Sequence, residues 1–239
     1  MSIYRGSGVT NGVVKMGNIV VFGAGGRAGN PVVAEAVDRG HTVTAVVRDP
    51  SRFPDLAGPG VTVESGDISV ATDVSRLVYG HDAVVHAVTP LKGPDQIHLL
   101  DPQFFVTTAN NLIAAMTEHD VPRVVLVGHF SNILTDDGSP VADHPDKFPD
   151  FLRGFSQSHT AGLEAFRASP KEIDWVMLAP PGDLQAERPR TGRYQLGGET
   201  LAPQHQDVPG TLSYKDLAVA IVDEIETPRN HRARLSVFD

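Results

Sequence analysis

Asn18-Ile-Val-Val-Phe-Gly-Ala-Gly-Gly-Arg-Ala-Gly29, continued by Asn30-Pro-Val-Val-Ala-Glu-Ala-Val-Asp-Arg-Gly40 and His41-Thr-Val-Thr-Ala-Val-Val-Arg48, reads as strand, glycine turn, helix and strand. The apolar β-rich run 19–22 enters a turn with glycines at 23, 25, 26 and 29. Val33, Ala36 and Val37 then share one helical face before Gly40 stops the helix, and a second apolar run, 43–47, follows. Such a turn needs one glycine where the chain leaves the strand, one where backbone approaches a pyrophosphate, and one where the helix packs on the sheet. The unpaired N–H groups of the helix start favour an anion. The stretch predicts a dinucleotide site contacted by Gly23, Gly25, Gly26, Arg27, Ala28 and Gly29, Ala28 holding the third position if Gly23 and Gly25 are taken as the leading pair.

The end of the second strand selects between the two nicotinamide cofactors, because an acid there holds a ribose 2′-OH and an arginine accommodates a 2′-phosphate. Here it is Arg48, with Arg27 in the turn and Arg52 four residues on. NADP is therefore expected over NAD, with several guanidiniums converging on one dianion.

The rest of the chain limits other roles. At 239 residues, 41% hydrophobic and 21% charged, the composition suits one globular domain. A net charge of −9 argues against nucleic-acid or membrane-surface binding and leaves a small-molecule substrate as the expected partner. The absence of cysteine excludes disulfides, thiolate metal sites and a cysteine nucleophile, and suits a cytoplasmic location. The histidines show no metal-ligand spacing, so no metal is expected. Residues 1–17 read as a flexible leader and 18–239 as the domain.

Strands alternate with helices along the domain. Strands are expected at 61–64, 83–88, 123–127 and 175–178, and helices at 70–77, from Asp101-Pro102 onward with Phe105, Ala109, Leu112 and Met116 inward, and at 157–168. Residues 134–151 read as a long loop able to close over a site. Gly197-Gly198 marks a hairpin between 193–196 and 199–201, part of a cap at 183–212 on the substrate side. Ser213 to Asp216 opens a last helix, and 233–238 is a closing strand. The repeated units imply an α/β, doubly wound parallel sheet. Ligands bind such sheets at the carboxyl ends of strands, here Val88-Thr89-Pro90, Gly128-His129-Phe130-Ser131 and Pro180-Pro181.

Four stretches carry a resemblance: 23–29, 46–52, 125–131, and the tail 191–198 through 213–220. With these the chain resembles the short-chain dehydrogenase/reductase superfamily, specifically atypical Rossmann-type members grouped as NAD(P)H-dependent flavin reductases, relatives of biliverdin-IX-β reductase, and is also similar to NmrA-like proteins. The resemblance implies that Asp67 and Ile68 flank the adenine, although a plain turn also explains Asp67. It implies Ser131 as the active-site serine. The superfamily's usual Tyr, four residues before a Lys, is missing: the helix that would carry it reads Phe155-Ser-Gln-Ser-His-Thr160. An ordinary alcohol dehydrogenase is not expected. A flavin, quinone or enone acceptor makes a weaker demand, served mainly by positioning. His129, with an ordinary pKa of about 6.5, is the expected proton donor, and His159, on that helix, a second candidate for substrate contact. The alternatives are an NmrA-like NADP(H) sensor without turnover and a cofactor-assisted epimerase or isomerase.

Overall fold

A computed structural model describes residues 17–91, 93–201 and 210–239. The leader expectation, apart from Gly17, lies outside them, as does the middle of the expected cap.

The opening stretch forms β1 (Asn18–Phe22), α1 (Gly29–Asp38) and β2 (Thr42–Val47), followed by β3 (Val61–Ser65), α2 (Ala71–Val78), β4 (Ala83–His86), α3 (Phe104–Glu118), β5 (Arg123–Val127), α4 (Arg153–Arg167), β6 (Asp174–Ala179), β7 (Asp183–Gln185), β8 (Gln195–Leu196), β9 (Thr211–Ser213), α5 (Tyr214–Glu226) and β10 (Ala233–Phe238). The main sheet has the order β3-β2-β1-β4-β5-β6-β10-β8, parallel except for β8 against β10, while β7 pairs with β9 in a small second sheet. This is the doubly wound Rossmann-like fold expected.

Alternation along β1 shows why both faces are covered. Ile19 and Val21 join one core with Ala36 of α1 and Leu217 and Ile221 of α5. Val20 and Phe22 join the other with Leu112 and Met116 of α3 and Trp175 of β6. Burying a side chain of this size fully contributes about 1.5–3 kcal/mol, so strands sandwiched this way read as unbroken apolar runs. The strand order reverses between β1 and β4, opening the crevice where such sheets take ligands. No helix among the described residues is long and apolar enough to cross a membrane.

Several boundaries differ from expectation. Asp101 does not begin α3 directly: its carboxylate accepts from the Gln103 N–H at 2.9 Å, and the helix starts at Phe104. The helix expected from 157 starts four residues earlier, at Arg153. The expected hairpin does not form. Gln195 and Leu196 pair with β10, and Thr200 bridges to Leu134, so local turn chemistry yields to longer-range pairing. Nor does the whole 183–212 region sit over the substrate side. Residues 190–194 are tied to α1 and α5: Arg190 grips Glu35 at 2.7 and 2.8 Å, the Thr191 and Gly192 N–H groups each donate to Asp216 at 2.8 Å, and the Tyr194 hydroxyl donates to Asp223 at 2.7 Å. Residues 199–201 do reach the other side, where Leu134 N–H donates to Glu199 O and Leu201 N–H to Leu134 O.

Candidate functional site

At the glycine turn, Gly23 has φ +85°, and a Cβ there would lie 2.6 Å from Ala87 O, so both conformation and space demand glycine. Gly25 differs from expectation. The Phe53 ring lies over it, two of its carbons 2.5 and 2.7 Å from where a Cβ would stand, so the missing side chain admits this chain's own aromatic group. The open glycine is Gly26, exposed and anchored by its N–H to Gly23 O at 2.9 Å. The N-cap of α1, Ala28, offers no side-chain cap, and no acid stands in the first turn. Asn30 N–H donates to Gly26 O at 3.0 Å and Pro31 has no N–H, so it is the uncapped positive end of a ten-residue helix, beside an open glycine, that fits a pyrophosphate.

The three arginines expected to select the cofactor stand in different surroundings. Arg27 is exposed and its guanidinium sits 5.8 Å from the ring centre of Tyr214, the first residue of α5. Arg48, exposed at the end of β2, is near enough for its charge to act on Asp67. Burial raises the Asp67 carboxyl, but the Ser69 hydroxyl and N–H, at 2.7 and 2.9 Å, together with the Arg48 charge hold it below the usual range. One Asp67 oxygen is therefore spent in its own turn, as the plain-turn reading has it. Ile68 is 4% exposed and packed with Val74 and Leu77, in the sheet-side core rather than free on the surface. Arg52 is exposed after a turn in which Asp49 accepts from Ser51.

On the nicotinamide side, Gly128 is buried and donates to Leu178 O at 2.7 Å, and Pro180 and Pro181 are buried beside it. Thr89 is exposed, Pro90 half-buried, and the Val88 N–H donates to His86 Nδ1 at 3.2 Å. His129 follows β5, half-buried among Phe130, Phe148 and Phe155, whose ring centres lie 4.8, 6.0 and 5.3 Å away. Its Nδ1 accepts from the Ser131 N–H at 3.3 Å and lies 2.8 Å from Ser131 Oγ. An N–H donor aimed at Nδ1 requires that nitrogen unprotonated, which assigns the ring proton to Nε2.

Desolvation, aided by nearby His159, pushes the His129 pKa down to about 3. This corrects the expectation of an ordinary titrating donor: the ring is neutral at physiological pH. Ser131 also departs from expectation. It is 0% exposed, and its hydroxyl reaches His129 and Ser156 Oγ, the latter at 3.0 Å, while Asn132 Nδ2 donates to Ser156 O and to Thr160.

His159 is buried against Phe105, ring centres 4.4 Å apart, with Nδ1 lacking a partner, and desolvation lowers its pKa to about 4. It borders, with His86, an otherwise apolar cavity of about 20 Å³, room for about one water. His86, behind it, is lowered to about 3, chiefly by desolvation. Phe155 and His159 stand four apart, the spacing of the missing Tyr and Lys. That spacing was available in the sequence as a pointer to Phe155. Phe105 was expected only as an inward-facing helix residue, and nothing local pointed to Phe53, Phe148 or Tyr214.

A family model described as NAD(P)H-binding matches residues 23–228. The chain belongs to this NAD(P)H-binding family. The family is one of atypical short-chain dehydrogenases/reductases. The Bacillus subtilis protein YwnB is 28% identical to this chain over 221 residues, 92% of this chain and 97% of its own length. A 2-alkyl-3-oxoalkanoate reductase from Stenotrophomonas maltophilia is 32% identical over 204 residues, 76% of this chain but only 58% of that reductase. Among solved structures, a candidate epimerase from Bacteroides thetaiotaomicron aligns with TM-score 0.78 and 28% identity over 94% of this chain and 97% of its own. A candidate NADH-flavin reductase from Streptococcus pneumoniae aligns with TM-score 0.77 and 25% identity over 93% and 99%.

Proposed function

We propose that this chain is an NADPH-dependent reductase of a conjugated carbonyl or ring acceptor, with His129 as the catalytic residue and Ser131 as its positioning residue. The observation that carries the reading is the neutral His129 ring, its tautomer set by Ser131, standing at the carboxyl end of β5 between aromatic walls. The family's oxidoreductase character supports it. The uncapped start of α1, Gly26 and Arg27 would hold the pyrophosphate, and Arg48 the 2′-phosphate. When bound, the reduced nicotinamide supplies the hydride.

The chain's own task is then to hold the acceptor and stabilise the charge that develops on it. His129 Nε2–H, neutral and fixed, donates a hydrogen bond to the acceptor oxygen or ring nitrogen. A preorganised donor of this kind in a water-poor site contributes about 10²–10³ in rate. Ser131 is too deeply buried to meet substrate and acts by holding Nδ1 as an acceptor. A delocalised acceptor takes its proton from water afterwards, so no Tyr-Lys pair is required.

One observation favours a sensor without turnover: Phe155 and His159 stand at the catalytic spacing and offer no exposed acid. NADPH oxidation against a panel of flavins, quinones and enones separates the two. Turnover that falls in His129→Ala supports the reductase; tight cofactor binding with no oxidation by any acceptor refutes it.

A further inference from the structure

Two neighbouring strands end in the same device. After β5, His129 Nδ1 accepts the N–H two residues on, that of Ser131, at 3.3 Å; at the end of β4, His86 Nδ1 accepts that of Val88 at 3.2 Å. The His86 ring is committed on both sides. A nitrogen that accepts carries no proton, so Nε2 holds it and donates to the Thr108 hydroxyl at 3.2 Å, which in turn donates to Phe105 O at 3.2 Å. Thr108 thereby fixes the tautomer that lets the ring accept from Val88.

Packing alone does not call for a histidine here. His86 is buried, and apart from His159 the groups around its cavity, Leu126, Leu163, Phe166 and Met177 among them, are apolar. An imidazole in such surroundings costs free energy unless its nitrogens are paired, and a leucine does not. What a leucine lacks is an acceptor for Val88. That residue stands where the sheet stops: Ala87 N–H still donates to Phe22 O of β1 at 3.0 Å, and the next N–H goes to the ring. Ala87 O and Val88 Cγ2 lie 2.6 and 3.1 Å from where a Cβ on Gly23 would stand, so residues 87 and 88 are packed on the glycine turn, beside the point where the strand order reverses.

We propose that His86 is a positioning residue for the dinucleotide, its ring holding Val88 and the segment after β4 against the glycine turn so that this side of the crevice keeps one shape. The proposal rests on the family's cofactor, and on neither the NADPH preference nor the reductase reading.

The fluorescence of NADPH and of NADH is titrated with the full chain, no acceptor present, and melting temperatures are taken on the same samples. His86→Asn sets an amide oxygen close to the Nδ1 position and is expected to keep both affinities within about threefold, although the space it leaves lowers the melting temperature. His86→Leu suits the apolar surroundings and is expected to melt above the asparagine variant, yet to bind both cofactors about tenfold weaker, because the Val88 N–H is orphaned. Thr108→Val keeps the shape and removes the acceptor of Nε2–H. It should weaken both cofactors several-fold and let a ring protonated on Nδ1 appear in the nitrogen NMR spectrum of His86, where the unaltered chain shows the proton on Nε2 alone. Affinities that follow the melting temperatures, a leucine variant that binds as tightly as the unaltered chain, or a proton on Nδ1 in the unaltered chain overturns the proposal, as does an unaltered chain that binds neither cofactor. The expected order of affinities with no oxidation of NADPH by any acceptor upholds it and refutes the reductase reading alone. Oxidation of NADPH with His86→Leu binding unchanged does the reverse.

Discussion

His129 is where a single residue decides most. Its Nδ1 is held by two groups of Ser131, and only one of them, the N–H, survives removal of the side chain. His129→Ala should therefore lower kcat by about 10²–10³, whereas Ser131→Ala should cost nearer tenfold, both with NADPH affinity unchanged. Equal losses in the two variants, or a loss of cofactor binding, would disprove this division of roles in a kcat and Kd comparison. Because the ring is neutral well above pH 3, kcat should show no inflection near the ordinary histidine value of about 6.5. The buried pair His86 and His159 gives a stability counterpart. Their folded pKa values, about 3 and about 4, lie below the unfolded value, so the unfolded chain takes up protons first as pH falls. Their contribution is complete above about pH 6.5 and declines as pH falls to about 4 for His159 and about 3 for His86, by up to about 1.4 kcal/mol per pH unit for each group. Urea midpoints that stay level over that window would contradict it.

Among elements, the turn between β1 and α1 and the segment after β2 act together. Phe53, from the latter, closes over Gly25, so Gly25→Ala should cost about 1–3 kcal/mol by overpacking, and Phe53→Leu in the same chain should recover part of it. Thermal melts of the single and double variants read this directly; an unaffected single variant refutes the contact. The arginines differ in their surroundings, Arg27 lying against Tyr214 of α5 and the Arg48 charge acting on Asp67. Arg48→Ala should weaken NADPH about tenfold or more with little effect on NADH, because it removes a partner of the 2′-phosphate alone. Arg27→Ala should weaken both cofactors alike. A selective loss in Arg27→Ala, or an equal loss in Arg48→Ala, would reverse the assignment.

At the scale of the molecule, the sheet was legible because strands covered on both faces are continuous apolar runs, and β1, β4, β5 and β6 carry that signature, whereas β3, at the sheet edge, alternates and buries no residue fully. The glycine turn was legible for the same local reason. Local signals failed where distant chain competes with them: Gly197-Gly198 has turn chemistry, yet β10 offers Gln195 and Leu196 a strand to pair with. They failed also where an environment is assembled from several elements. His129 could be placed at a strand end from sequence, but its charge state depends on Phe148 and Phe155, brought in by the 134–150 segment and α4, and on His159 behind them. Neither the Phe53 clamp nor the stacking of Arg27 on Tyr214 has any short-range sequence mark.

The fixed His129 ring also carries a handedness. With one donor nitrogen, held from one side by Ser131 and flanked by unlike walls, Phe130 and Phe155, the site has no mirror-related way to present an acceptor. A prochiral enone should then leave as one enantiomer, while Ser131→Ala, which leaves the ring held by the N–H alone, should erode the enantiomeric excess before it abolishes turnover. Chiral chromatography of the product decides this, and a racemic product from the unaltered chain would mean that the ring does not set which face of the acceptor reacts.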